Sequence, residues 1–283
     1  MVSAADRTKD PARTSVWLNH RPPSRARKSD QPAGLDRDRI TAATVRLLDA
    51  EGLAKFSMRR LAAELNVTAM SLYWYVDTKD DLLELALDSV YSEMRPPGED
   101  APWEDRLRAL AGAYRELLVR HVWVSPLVGK FLNVGPHAML MAYAIQDVIR
   151  ASGLPLGRQT GALSAVFQFV YGFSTVEGQF AQRSAEAGLT QDEYFQQAMA
   201  AMQGQPQMGP IVENSQDLIA ARGADTVHEM HERDFAFALD LLIAGIVAMR
   251  EREVTPDARS DAPSGAPSGA PSGAGEDRAR PRQ

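Results

Sequence analysis

Few groups in this chain have the spacing of a reaction centre. Cysteine is absent, which removes thiolate nucleophiles, disulfides and thiolate metal sites. The run Asp80-Asp81-Leu82-Leu83-Glu84 looks like the aspartate-rich metal motif of isoprenoid-handling enzymes, which are also all-helical. Its acids follow Thr78, where a helix start favours negative side chains anyway, and no second acidic cluster of the expected kind appears. His228 and His231, with Glu232 beside them, are three apart on a predicted helix. A structural zinc site wants four ligands and a catalytic one three, and the spacing is not His-Glu-x-x-His, so a solvated helix face is the better reading. No Ser/His/Asp order and no glycine-rich phosphate loop stands out. The sequence therefore proposes no catalytic residue, no cofactor and no metal; a magnesium-dependent isoprenoid-type enzyme is kept as the alternative.

Contact chemistry is better represented. Ser71-Leu72-Tyr73-Trp74-Tyr75 puts three aromatics on one short helix, where successive residues lie about 100° apart. A single apolar stripe cannot bury all three rings, so at least one faces outward. The elements that would position them read clearly. Asp36 caps a first helix over 36–51 with Ile40, Ala43, Thr44, Leu47 and Leu48 on one face, and Gly52 suits its left-handed stop. A second helix over 57–65 has Leu61, Ala62 and Leu65 inward and Arg59 and Arg60 off that stripe. Asn66-Val67 makes a turn, and Thr68 caps a third helix over 69–75. Helix, tight turn and helix is the helix-turn-helix spacing, whose second helix presents its first residues to base edges in a major groove. A fourth helix starts at Thr78-Lys79-Asp80-Asp81 and ends before Pro96-Pro97.

Charge supports this division. The net charge of −6 hides 14 Lys or Arg against 9 Asp or Glu in residues 1–79, a local +5, and −11 over the remainder. Residues 1–34 read as a disordered arm with the basic run Arg21-Pro22-Pro23-Ser24-Arg25-Ala26-Arg27-Lys28, suited to phosphates or a minor groove. The DNA-binding domain spans 35–80. A helical regulatory and dimerisation domain spans 81–254, with helices at 103–121, 136–152, 158–183, 190–203 and 225–252 and no period-two strand pattern. Its helices at 158–183 and 225–252 are apolar enough to need cover on most sides, in a core or a subunit interface. Residues 255–283 repeat Ala-Pro-Ser-Gly and read as a disordered tail. No secretory leader opens the chain, and the apolar run 235–249 is too short to span a bilayer and contains Asp240, so no membrane association and a cytoplasmic location are expected.

The stretch Phe56-Ser57-Met58-Arg59-Arg60-Leu61-Ala62-Ala63-Glu64-Leu65-Asn66-Val67, then Leu72-Tyr73-Trp74-Tyr75-Val76, Lys79 and Leu82-Leu83, resembles the tetracycline-repressor (TetR) family of bacterial transcription regulators. Ala162-Leu163-Ser164-Ala165-Val166, Phe169 and Gly172 are similar, more loosely, to that family's long dimerisation helix. The resemblance implies an all-α homodimer with three N-terminal helices on DNA, a fourth helix leading to a ligand-holding body, and a four-helix interface from helices near 158–183 and 225–252. It places DNA contacts on Arg59, Thr68, Ala69, Met70, Ser71, Tyr73, Tyr75 and Lys79. Arg59 can take a guanine bidentately, Ala69 or Met70 can meet a thymine methyl, Ser71 and Tyr73 suit phosphate or base, and Lys79 suits phosphate.

In the branch that takes tetracycline, the drug binds with a magnesium ion held partly by a histidine. The corresponding region here, Leu127-Val128-Gly129-Lys130-Phe131, has none, and Glu177, near the family's inward-facing glutamate, is one acid alone. The expected ligand is therefore largely apolar, with Tyr114, Trp123, Phe131, Ile145, Phe167, Tyr171 and Glu177 as candidates for its site. The expected function is a ligand-responsive DNA-binding regulator, most simply a repressor, that binds a palindromic double-stranded operator as a homodimer and is released by a small effector. A dimeric regulator without a ligand is the second alternative.

Overall fold

The computed structural model describes residues 15–18, 35–203, 205, 214, 215, 217, 221 and 225–254. The basic run at 21–28 and the tail at 255–283 lie outside the described residues. Among the described residues every regular element is helical: α1 Arg37–Glu51, α2 Met58–Glu64, α3 Ala69–Leu72, α4 Lys79–Tyr91, α5 Trp103–Arg120, a 3₁₀ turn Val122–Val124, α6 Ser125–Val128, α7 Pro136–Ala151, α8 Leu156–Glu186, α9 Gln191–Gln203 and α10 Val227–Val254.

Each helix of the head begins on a side-chain cap. Asp36 accepts from the Arg39 amide at 2.7 Å, Ser57 from Arg60 at 3.2 Å, and Thr68 from Ser71 at 3.2 Å. Thr78 and Asp81 form a reciprocal capping box. Asn66 takes φ 54° in the turn between α2 and α3, as its position predicts. The predicted helix 69–75 differs: only Ala69–Leu72 is α-helical, and the chain tightens through Tyr73 and Tyr75 with amides reaching back three residues, to Met70 and Leu72.

The central rod is α4. Residues 81–88 are all buried, packed between α1 of the head and α7 of the body. Asp81, Glu84 and Asp88 are buried at spacings of three and four on this helix, so they form one stripe, and each is satisfied from a different part of the chain. Asp81 closes the capping box. Glu84 accepts from the Ser15 hydroxyl and from the Val16 amide at 2.8 Å. Asp88 accepts from the Ala138 amide at 2.9 Å and His137 Nδ1 at 2.9 Å, holding the start of α7. A Cβ at Gly135 would overlap the Asp88 carboxylate, so this approach requires glycine. Part of the expected disordered arm is thus ordered: residues 15–18 lie against the core, with Val16 and Trp17 half-buried there.

The body packs α5 on α8 closely enough that a Cβ at Gly178 would stand 3.3 Å from the Leu118 carbonyl oxygen. Phe235, Leu239, Ile243 and Ile246 bury one face of α10, while Phe237, Leu241 and Met249 on its other sides are 69%, 64% and 57% exposed. Leu156 and Val176 of α8 are likewise exposed. No helix among the described residues is long and apolar enough to cross a membrane.

Candidate functional site

The head exposes the residues that the helix-turn-helix pattern singles out. On α2, Arg59 is exposed and has no hydrogen-bond or ion-pair partner among the described residues, whereas Arg60 is held by Glu51 at 2.6 Å and by Glu64 at 3.3 Å. On α3, Thr68 and Met70 are exposed, Met70 by 69%, and Ala69 and Ser71 are half-buried. Tyr73 is exposed by 39%, while Leu72 packs inward with 0% exposure and anchors α3 to the head. Tyr75 and Lys79 are less free. The Tyr75 hydroxyl donates to the Leu35 carbonyl at 2.7 Å. The Lys79 ammonium donates to the Phe56 carbonyl at 2.7 Å and lies over the Phe56 ring. Both side chains therefore brace the domain, and only their remaining capacity faces outward.

The 80–84 acidic run is occupied by structural work. Asp80 pairs with Lys130 at 2.9 Å, Asp81 caps α4, and Glu84 is buried under Ser15 and Val16. Burial holds the Glu84 pKa above the ordinary carboxylate range, against the lowering effect of those two hydrogen bonds. His231 is not on a solvated face as predicted. Its ring packs edge-on to Phe173 and Phe180 and lies 3.7 Å from Glu177. Burial keeps its pKa below the ordinary value despite that acid. His228 is exposed.

Inside the body is a cavity of about 200 Å³ bounded by α4, α5, the end of α6 with the segment after it, α7 and α8. Tyr114, Ile145 and Phe167, three of the seven predicted ligand residues, line it together. The other four do not line it. Trp123 donates its indole N–H to Asp49 at 2.6 Å. Phe131 packs against the core under Lys130. Tyr171 stacks behind Phe167 and donates to the Ser125 carbonyl at 2.8 Å. Glu177 takes Arg115 bidentately at 2.7 and 2.8 Å, in a buried pair. Long-range partners claim Trp123, Tyr171 and Glu177, and local periodicity carries no trace of such partners.

Several lining residues escaped the sequence reading: Tyr91 and Met94 at the end of α4, Met141 on α7, and Asn133, which takes φ 51°. The Asn133 position had a signal, since a non-glycine left-handed residue before Gly135-Pro136 favours Asn. Burial pushes the Tyr91 pKa up to about 12 and raises that of Tyr114 further, so both stay phenols. The Tyr114 hydroxyl has the Tyr91 side chain as its polar neighbour, and Asn133 Oδ1 is buried without a hydrogen-bond partner among the described residues. Such an atom costs about 1–3 kcal/mol unless water or a ligand meets it.

A second cluster joins head to body. His121 Nδ1 lies 2.7 Å from Asp49 of α1 and Nε2 lies 3.2 Å from Glu93, beyond α4. Burial disfavours the imidazolium, but the two carboxylates outweigh it, and the His121 pKa is raised.

Two family descriptions match this arrangement. "Bacterial regulatory proteins, tetR family" covers residues 40–86, and "Tetracyclin repressor-like, C-terminal domain" covers 95–250. The chain is 33% identical over 248 residues to the HTH-type transcriptional repressor DrrR1 of Streptomyces coeruleorubidus, which spans 85% of this chain and 87% of that protein. It is 36% identical over 171 residues to an HTH-type transcriptional regulator of Saccharopolyspora erythraea, 60% of this chain and 70% of the relative. Among solved structures, apo ActR from Streptomyces coelicolor matches with a TM-score of 0.61 at 25% identity, over 78% of this chain and 99% of that one. ActR in complex with actinorhodin matches with a TM-score of 0.58 at 26% identity, over 76% and 98%. The matched segments carry the helix-turn-helix and the helical body in that order; this chain belongs to the TetR family and is a transcriptional regulator, not the isoprenoid-type enzyme suggested by its 80–84 acidic run.

Proposed function

We propose that the protein is a ligand-responsive repressor whose homodimer binds an inverted-repeat operator and lets go when a small, largely apolar effector fills the body cavity. One observation carries this reading: α4 borders the cavity through Tyr91 and packs on α1 of the head. Effector and operator thus act on one helix. A ligand that fits one position of α4 better than another shifts the spacing of the two heads by its differential affinity. The operator contacts are Arg59, Thr68, Ala69, Met70, Ser71 and Tyr73, with Tyr75 and Lys79 bracing the surface as well as reaching phosphates. Recognition helices about 34–36 Å apart would meet successive major grooves on one side of B-DNA.

The dimer interface is α8 with α10. Those helices pack together and leave Val176, Phe237, Leu241 and Met249 in water, an apolar surface of the kind that a second subunit covers. The repressor DrrR1 and the actinorhodin-bound ActR support repression and effector binding by relationship. The cavity counts against a regulator without a ligand, for which a filled core would be expected.

Selection of duplexes from a random pool by the full chain, then titration of the selected duplex with salt and effectors, tests the proposal. A palindromic duplex whose affinity falls steeply with salt supports it. Absence of any duplex preference in any ligand state removes it.

A further inference from the structure

The ring of His121 is nearly sealed from water and meets an acid at each nitrogen. It is 3% exposed, with Nδ1 2.7 Å from Asp49 and Nε2 3.2 Å from Glu93. Carboxylates only accept, so both bonds exist together only when both ring nitrogens carry a proton. A neutral imidazole has one N–H. Its other nitrogen would turn a lone pair on a carboxylate, at a ring largely closed to water.

The three groups come from parts of the chain that must move against one another if the heads are to change spacing. Asp49 is on α1 of the head, Glu93 follows the end of α4, and His121 follows the end of α5 in the body. The Trp123 indole, edge-on to the His121 ring at 5.9 Å, also donates to Asp49 at 2.6 Å. Residues 91–94 tie this cluster to the cavity. Tyr91 and Met94 line the cavity, and Glu93 between them reaches the ring.

Other charges on the surrounding elements are already engaged. Arg120, the last residue of α5, holds Glu93 at 2.8 Å. On α1, Glu51 is turned to Arg60. No residue of α6 titrates. α8 closes on Val122 through Gly178, and its Glu177 is taken by Arg115. Burial opposes a charged ring, but Asp49 and Glu93 outweigh it, so His121 takes its second proton more readily than a free imidazole does.

Resting on the reading of the head as an operator-binding surface, we infer that His121 is a proton-operated staple between head and body: the doubly protonated ring fixes the head for the operator, and loss of one proton frees it. Heads already held at the spacing that the grooves require lose less freedom on binding. Operator affinity is therefore highest where the ring is charged, and it falls as pH rises through the folded His121 value. Each subunit of the proposed dimer carries the staple, so the effect is felt twice.

The test measures affinity for the duplex selected by the full chain from about pH 6 to about pH 9 at constant salt, in the parent, His121→Gln and Glu93→Gln. Over this range the parent should weaken about tenfold more than His121→Gln. Glu93→Gln is the sharper variant, because its amide can donate to a deprotonated Nε2 while the Nδ1 proton still meets Asp49. The staple then closes without the second proton, and affinity should stay near the parent's acid-side level throughout. The His121 ring signal in NMR of the free chain gives an independent titration, and the midpoint of the parent's affinity change should coincide with it. That coincidence decides the matter even if a variant fails to fold. A pH course shared by the parent and both variants, an affinity that rises with pH, or a midpoint apart from the ring titration would overturn the inference while leaving the regulator. Absence of duplex binding at every pH sinks the operator reading and the staple with it.

Discussion

The head and the body use their side chains in opposite ways. In the head, the residues proposed to read DNA are exposed or half-buried and lie close together in sequence, on α2, on α3 and in the chain just before and after α3. In the body, the residues that shape the cavity are buried or half-buried and come from five helices and the segments between them, with Tyr91 and Phe167 far apart in the chain. A surface reader can be altered one contact at a time, because exposed neighbours share few partners. A cavity cannot, because most of its wall is also the packed core between helices. The difference predicts that head substitutions change which DNA is bound, while body substitutions change whether the protein folds, pairs or responds.

The largest effect should come from the body's buried ion pair. Arg115→Leu leaves Glu177 in the interior without its bidentate partner and should cost about 3–5 kcal/mol in urea unfolding at fixed protein concentration. A cost near zero would mean that the interior tolerates single changes as the surface does, and the contrast would fail. Next is Phe237→Glu, on the exposed side of α10. It should yield monomers in sedimentation and weaken operator binding by roughly 10²–10⁴-fold through lost bivalency, without changing the preferred half-site. An intact dimer would remove α10 from the interface. Arg59→Ala should cost roughly 1–3 kcal/mol of operator affinity and relax the preference at one base pair, with the unfolding midpoint held. A uniform loss over all sequences would reduce Arg59 to a phosphate contact.

The smallest effect sits where the two regions meet. The raised His121 pKa means that its bonds to Asp49 and Glu93 stabilise the protein fully below the unfolded histidine value of about 6.5, and that this share fades as pH climbs through the folded value. His121→Gln should flatten the pH dependence of unfolding above about 6.5, measured against the parent chain. An unchanged slope would show that the junction holds without the imidazolium.

The same contrast explains what could be read from the residues alone. Asp36, Thr68 and Thr78 cap helices as their spacing predicts, and Asn66 turns where it should, because caps and turns are settled within about four residues; Ser57, expected as the first residue of the second helix, is its cap. The early end of α3 was not legible, since the Tyr75 hydroxyl is held by the Leu35 carbonyl from before α1. Trp123 shows the limit in the body. As a large aromatic it reads as a pocket wall, yet Asp49, 74 residues away, holds its indole at the junction with the head. Periodicity tells which face of a helix is buried and is silent on what it is buried against.

One consequence follows from the Ser15–Glu84 contact. A shortened protein begun at α1 would lack both donors that Ser15 and Val16 give to the Glu84 carboxylate. That acid would then recruit water or a proton in the middle of α4, the helix proposed to join effector and operator. Responsiveness measured on such a trimmed protein would describe a loosened lever, and restoring the missing amino-terminal residues as a separate peptide should tighten it again.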